Sequence, residues 1–244
     1  MAWVANESRG QAFPAGRSAG STTDVGTRAF LRRVYLYMSL GLGATGLVAL
    51  MVASSPAALQ FVFGNPIVFY GLLIGQVVLV MAFSAVAARV SAATAALMFF
   101  SYAALSGITF SAIFIRYTAG SIASTFLVTG GMFAALSFYG VVTKRNLDSI
   151  GSFCFMGLVG LMIASVVNIF LGSSMLYWLT TFVGVIVFTG LTAYDTAKLK
   201  ALGAQGAGGE AQTKLALQGA LTLYLDFINL FLMLLRVLGG RRRD

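Results

Sequence analysis

Long apolar runs separated by short polar breaks fill most of the chain after residue 33. Seven runs can be distinguished, at roughly 34–54, 67–88, 93–115, 119–142, 150–171, 175–196 and 215–238. Each has about 20 residues or slightly more, which is enough for an α-helix to cross a hydrocarbon core of about 30 Å. The pattern therefore predicts an all-α integral membrane protein built as a seven-transmembrane-helix bundle.

Both ends of the chain differ from this pattern. Residues 1–28 are polar, rich in Gly, Ser and Ala, and lack the apolar stretch of a cleavable signal peptide. We expect them to form a disordered N-terminal tail. The predicted organisation is thus this tail, a transmembrane domain over 29–239, and a basic C-terminal tail over 240–244.

Composition agrees with a membrane protein. The chain is 59% hydrophobic and only 9% charged, whereas a soluble domain is typically about 25% charged. The net charge of +9 does not indicate a nucleic-acid partner, because no arginine–aromatic array or zinc pattern accompanies it. The expected surroundings are a lipid bilayer.

The distribution of cations predicts the orientation. If the N-terminus is cytoplasmic, eleven Lys and Arg residues fall on the inner side and five on the outer side. The outer ones are Arg116, Arg236, Arg241, Arg242 and Arg243. The last three argue against a seventh full crossing, and six crossings plus a re-entrant segment would remove the conflict. We favour seven, because 24 mostly apolar residues are long for a re-entrant loop, and we expect a bacterial inner (plasma) membrane.

Glycines and prolines suggest how the helices pack and end. Gly71 and Gly75 form a GxxxG motif, which predicts close helix packing. The same expectation applies to Gly41, Gly43, Gly46, Gly130, Gly131, Gly157 and Gly160. Pro56 and Pro66 flank the first outer loop and are predicted to terminate helices.

Residue usage restricts the possible chemistry. The chain has no histidine and one cysteine, which excludes Ser–His hydrolases, rhomboid-like proteases and most zinc or haem sites. All four lysines lie in loops, so a retinal Schiff base is not expected. An intramembrane aspartyl protease is only half matched, by Tyr194-Asp195. We therefore expect neither an enzyme nor a bound cofactor, and Cys154 is interpreted as a core residue.

Two aspartates stand out among the apolar runs. Asp226 lies about 11 residues into the last run, roughly 16 Å deep, where an ionised carboxylate costs at least about 2.5–3.5 kcal/mol. Asp195 lies near the inner end of the sixth run. Two buried carboxyl groups in contact would share a proton. The alternatives are that Asp195 balances Lys198 and Lys200 at the interface and that Asp226 makes a structural hydrogen bond.

A polar stripe accompanies Asp226 along the last helix. Thr222, Asp226, Asn229, Met233 and Arg236 follow steps of three and four residues and so share one helix face. Such a helix is expected at the centre of the bundle, with Thr222, Asn229 and Met233 as candidate pore-lining residues. Arg236, about 15 Å from Asp226 along the helix, is predicted to extend to the outer surface.

The segments "GLTAYDTAKLK" and "LYLDFINLFLMLLRVLG" resemble the two C-terminal signatures of the Bax inhibitor family, the transmembrane Bax inhibitor motif proteins. "DVGTRAFLRRVYLYMSLGLGATGLVAL" resembles the N-terminal signature of the bacterial branch. The resemblance covers about residues 24–239. One departure is the Gly-rich loop 201–212, which looks longer than is usual between the two aspartates.

The resemblance implies six helices around a central seventh and a pH-sensitive calcium leak gated by an aspartate pair. That pair corresponds to Asp195 and Asp226, which would bind calcium transiently as the permeating ion. Arg89, at the inner end of the second run, is the best candidate for a cation that engages the pair. The alternative function is a membrane adaptor that modulates another membrane protein, such as a quality-control protease, through residues 1–28.

Overall fold

The computed structural model describes residues 19–206, 208–240 and 242. Within these residues the chain forms eight helices: α1 (Ala19–Ala53), α2 (Pro56–Phe63), α3 (Pro66–Val86), α4 (Ala92–Arg116), α5 (Ala119–Val142), α6 (Asp148–Leu171), α7 (Ser174–Ala204) and α8 (Gly209–Leu238). All except the eight-residue α2 are long and apolar enough to cross a membrane. The predicted all-α architecture with seven spanning helices is therefore confirmed.

Three spanning helices extend beyond the apolar runs that predicted them. Helix α1 begins by Ala19 rather than near residue 34, α7 continues to Ala204, and α8 begins at Gly209. An apolar run marks only the part of a helix that lies in hydrocarbon, whereas a helix continues into water while its residues favour it. Residues 19–28 are thus helical and not part of a disordered tail, and residues 1–18 lie outside the described residues. Only residues 205–208 of the predicted Gly-rich loop lie between α7 and α8.

Pro56 and Pro66 begin helices instead of ending them, which corrects the sequence-based expectation. Each proline stands in the first turn of its helix, where its missing N–H needs no partner. The preceding residues act as N-caps: the Ser55 side chain accepts from the Ala58 backbone N–H, and Asn65 accepts from that of Ile67. The predicted first outer loop therefore contains the short helix α2, with a two-residue break on each side of it.

Helix α8 is the most deeply packed of the spanning helices. Thirteen of its residues are buried, compared with one in α3, and it packs against α1, α4, α5 and α7. Its 30 residues measure about 45 Å, so it is long enough to cross the bilayer completely. A re-entrant last segment is not what the chain forms.

Helix α3 lies at the periphery and packs mainly against α4. Gln76 makes its polar contact with that helix: the Nε2 atom donates to the Thr109 hydroxyl at 2.9 Å. The Ser106 hydroxyl donates back to the Gln76 Oε1 atom at 3.5 Å. A side-chain amide therefore links the most lipid-exposed helix to the bundle.

The glycines that mark close helix contacts are only partly those expected. Gly41 packs against the Phe99 ring and Gly157 against Val187, as predicted. A Cβ atom added at Gly71 or Gly75 would meet nothing within 4 Å, so this GxxxG motif faces no other helix among the described residues. The same is true of Gly43, Gly46, Gly130, Gly131 and Gly160. A small-residue spacing indicates a smooth helix face but not the direction in which that face points.

Candidate functional site

Asp195 of α7 and Asp226 of α8 come together inside the bundle. Their carboxyl groups lie close enough to interact directly. Asp226 is only 5% exposed and Asp195 is half-buried. The two helices are antiparallel neighbours joined by the short break at 205–208, which lets one carboxyl group from each face the other.

A hydrogen bond across this contact would require a proton. Two ionised carboxylates only accept hydrogen bonds, so one carboxyl group of the pair must be protonated to donate to the other. The Oδ2 atom of Asp226 is buried and has no hydrogen-bond partner among the described residues. This oxygen can accept a hydrogen bond or bind a cation.

A cavity of about 1000 Å³ lies against the pair. Its walls come mostly from α6, α7 and α8, and Val77 of α3 and Tyr102 of α4 also line it. Apolar side chains of α6, such as Phe155 and Met162, form much of the surface. The two carboxyl groups thus lie on the wall of a largely apolar cavity, where charge is poorly screened.

The polar stripe of α8 lines the same cavity. Thr222, Asn229 and Met233 all belong to its wall, together with Asp226. The Asn229 Nδ2 atom donates to the Leu225 carbonyl at 2.8 Å, and the Thr222 hydroxyl donates to the Gln218 carbonyl at 3.2 Å. Because their hydrogens point to the helix backbone, both side chains keep oxygen lone pairs for other partners. A pore-lining role for these residues stays a prediction.

The structure does not bring Arg89 to the aspartate pair. Arg89 is exposed in the turn after α3, and the adjacent Ala88 carbonyl accepts from Lys214 Nζ at 3.1 Å. Lys214 precedes Asp226 by 12 residues on α8, or about 18 Å along the helix. Helix α3 ends at Val86, so the turn holds Arg89 at the end of the bundle.

Lys198 is the cation whose charge acts on Asp195. It lies about one turn further along α7, lines the cavity, and has its Nζ atom 5.8 Å from the centre of the Tyr194 ring. Lys200 points elsewhere and donates to the Val141 carbonyl at 2.6 Å. The sequence could have indicated this contact, because residues with i,i+3 spacing share a helix face. The contact favours the part of the interfacial interpretation in which Asp195 balances Lys198.

Arg236 and the expected calcium ligands were also predicted from the sequence. The guanidinium of Arg236 stacks on the Tyr177 ring, 5.1 Å from its centre, and does not contact the pair. Among the described residues, no group of three or more His, Cys, Asp or Glu side chains could hold a metal ion. A cation at the pair would thus receive two carboxyl groups and, at most, neighbouring amide or hydroxyl oxygens.

These features define an all-helical integral membrane protein whose last two helices hold two carboxyl groups in contact beside a cavity. The chain matches the family described as "Inhibitor of apoptosis-promoting Bax1" over residues 27–243. It belongs to this family, the Bax inhibitor family, as its aspartate-bearing segments indicate.

Bacterial relatives match nearly the whole chain. The inner membrane protein YbhL of Escherichia coli (strain K12) is 50% identical over 219 residues, which cover 89% of this chain and 94% of the relative. An uncharacterized protein RP147 of Rickettsia prowazekii is 43% identical and covers 92% of this chain and 95% of its own length. An uncharacterized protein of Caulobacter vibrioides is 37% identical, with coverage of 97% and 98%.

Proposed function

We propose that the protein is a pH-sensitive calcium leak channel gated by the protonation of Asp195 and Asp226. The observation that carries this proposal is the direct contact between the two carboxyl groups on the wall of the large cavity. A chain without histidine needs another group for a response near neutral pH. A buried carboxyl pair that shares a proton is such a group.

The proton controls whether the two side chains stay together. While it is shared, the hydrogen bond joins α7 to α8. When it is lost, two negative charges face each other in a poorly screened interior and repel one another. Their separation would displace the two helices at this level, so we expect the flux to rise as the pH increases through the titration of the pair.

The described conformation corresponds to a closed state in this mechanism. Between Asp226 and the Arg236 end of α8, the helix is packed by the buried side chains of Leu230, Phe231 and Leu235. These three side chains are apolar, so they offer no ligand to an ion that reached the pair from the cavity. Conduction therefore requires movement of α8 against its neighbours, which the loss of the carboxyl contact would favour.

Calcium suits the deprotonated pair as a permeating ion. Ca²⁺ prefers oxygen ligands and takes six to eight of them. Two carboxylates and the oxygens of Asn229 and Thr222 supply only part of this shell, so water must complete it. Such incomplete coordination favours transient binding, which a leak pathway needs, over a permanent metal site.

The test is calcium flux into vesicles that contain the purified protein and an entrapped calcium dye. Asp195→Asn and Asp226→Asn keep the size and hydrogen-bonding capacity of the side chains but cannot titrate. We expect wild-type flux to depend on pH and both variants to lose that dependence. Asp148→Asn, at an exposed position at the start of α6, is the matched control. The proposal fails if flux and its pH profile are the same in all four proteins.

We further propose an inner-membrane location with a cytoplasmic N-terminus. The name of the Escherichia coli relative supports the membrane, and the excess of cations on the predicted inner side supports the orientation. The alternative function, a membrane adaptor, depends on residues 1–28, of which 1–18 lie outside the described residues. No contact of the described part favours it over the leak.

A further inference from the structure

A second cavity, of about 230 Å³, lies at the opposite end of the bundle from Lys198. It is enclosed by the end of α4, the beginning of α7 and the end of α8. Its wall consists of Ala112, Ile113, Arg116, Tyr117, Tyr177, Leu232, Leu235 and Arg236. We refer to these eight residues as the arginine pocket. Because Arg236 is 10 residues beyond Asp226, or about 15 Å along the helix, the pocket is separate from the carboxyl pair.

The C-terminal segment fixes the geometry of the arginine pocket. The Thr118 backbone N–H donates to the Gly240 carbonyl at 3.1 Å, and the Gly240 N–H donates to the Ser121 hydroxyl at 2.8 Å. The Arg242 N–H donates to the Arg116 carbonyl at 3.1 Å. These bonds attach the end of α8 to the turn between α4 and α5, so Arg116 and Arg236 stay on one wall although 120 residues separate them.

No described residue neutralises the positive charge of the pocket. Arg236 is half-buried, and its contacts are the Tyr177 ring and the Met233 Sδ atom at 3.8 Å. Neither partner carries a negative charge. Among the described residues, no carboxylate lies at this end of the bundle.

Helix dipoles offset only part of that charge. Arg116 and Arg236 lie in the last turns of α4 and α8, and each helix end contributes about half a negative charge. Arg242 adds a third cation, and it already occupies the Phe114 carbonyl through Nη1 at 3.4 Å. Among the described residues, three guanidinium groups against two helix ends leave an excess of roughly two positive charges, which an anion would balance.

The lining indicates which anion fits. Guanidinium groups bind phosphate through paired N–H donors. Tyr117 and Tyr177 are of the type found at the level of lipid headgroups, and Ile113, Leu232 and Leu235 give the pocket an apolar side that a free ion would not use. We propose that the arginine pocket binds the phosphodiester of an anionic phospholipid between Arg116 and Arg236.

A lipid held there would connect three helices at one end of the bundle. Its phosphate would contact α4 and α8, and its apolar part would lie on Leu232 next to the start of α7. Binding would therefore stabilise the folded bundle by mass action. This inference is independent of the proposed calcium leak, because the pocket shares no residue with the wall around Asp195 and Asp226.

The experiment uses the full chain, purified in detergent and depleted of lipid. Phosphatidylglycerol, phosphatidylcholine and inorganic phosphate are titrated separately, and binding is followed by native mass spectrometry and by the melting temperature. We expect phosphatidylglycerol to bind and raise the melting temperature. Arg116→Gln and Arg236→Gln should each weaken its binding roughly tenfold, and Arg236→Lys should retain part of it.

Arg145→Gln is the control, because Arg145 is an exposed arginine at the opposite end of the bundle. It should bind phosphatidylglycerol as the wild type does. Equal binding of phosphatidylglycerol by the wild type and the two Gln variants would overturn the proposal. So would equal stabilisation by inorganic phosphate, which would indicate a free-anion site. If a Gln variant does not fold, competition between phosphatidylglycerol and phosphatidylcholine on the wild type decides: no preference for the anionic lipid contradicts the proposal.

Discussion

The hydroxyl groups of Thr45 on α1 and Tyr224 on α8 lie 2.8 Å apart in the buried centre of the bundle. The Thr45 hydroxyl also lies within hydrogen-bonding distance of the Gly41 and Ala103 carbonyl oxygens, at 3.0 and 2.9 Å. Either hydroxyl can be the donor in the contact between Thr45 and Tyr224. One small polar cluster thus links α1, α4 and α8.

Removing the Tyr224 hydroxyl should loosen this link. Tyr224→Phe keeps the ring contacts with Phe99 and Tyr102 but loses the hydrogen bond to Thr45. We expect a loss of about 1 kcal/mol in the free energy of unfolding, measured by thermal or denaturant unfolding in detergent. Tyr70→Phe, at a side chain that is 62% exposed, should change stability little. Equal effects of the two variants would contradict a specific role for the buried hydroxyl.

Gly140 should not tolerate a methyl group. A Cβ atom at this position would lie 2.5 Å from the Ala193 carbonyl oxygen and 2.9 Å from the Thr196 Cβ atom. Gly140→Ala must therefore push α5 away from α7, at a cost of about 1–3 kcal/mol in the free energy of unfolding. The matched control is Gly131→Ala on the same helix, where nothing lies within 4 Å of the new atom. That variant should unfold at the same or a slightly higher temperature, because alanine favours helix.

Lys200 stabilises the end of α5. Its Nζ atom donates to the Val141 carbonyl at 2.6 Å, which is one of the last-turn carbonyls that lack a partner within the helix. Lys200→Met keeps most of the side-chain length but removes the charged donor. We expect a loss of about 1 kcal/mol in unfolding free energy. Lys144→Met, at an exposed lysine two residues beyond α5, serves as the comparison and should leave the unfolding midpoint unchanged.

Cys154 should be unreactive in the folded protein. Its thiol is buried between α6 and α7, where a Cβ atom added at Gly190 would overlap the Sγ atom. A water-soluble maleimide reagent should therefore label the protein only after unfolding in sodium dodecyl sulfate, as mass spectrometry would show. Rapid labelling of the native protein would mean that α6 and α7 separate readily at this level.

Much of the fold follows from properties that act along a single helix. The number of spanning helices follows from the lengths of the apolar runs, because each run must be long enough to cross the hydrocarbon core. The deep position of Asp226 and the shared face of Thr222, Asn229 and Met233 depend only on helical rise and period. The positions of the helix caps were harder to predict, because a proline can stand before or after a break between helices. Pro56 and Pro66 begin helices because Ser55 and Asn65 cap the N-termini of those helices.

The candidate site could be predicted only in part. Both aspartates are visible in the sequence because carboxyl groups are costly in a membrane, and the family resemblance paired them. The choice of Arg89 as their cation came from its predicted side of the membrane. That criterion ignores the position of a residue along the helix axis. The turn after α3 places Arg89 next to the level of Lys214 on α8, whereas Lys198 follows Asp195 by three residues on the same helix.

The sequence by itself determined which segments enter the membrane, which acidic residues lie deep, and which residues share a face of α8, because hydropathy and helical period are local properties. Tertiary structure decided that Asp195 and Asp226 meet, that Gly140 contacts α7 while Gly71 contacts no other described helix, and that Arg116 and Arg236 share one pocket. These outcomes depend on the rotation and tilt of each helix. Both are set by the way side chains of different helices interdigitate, and no single stretch of sequence contains that information.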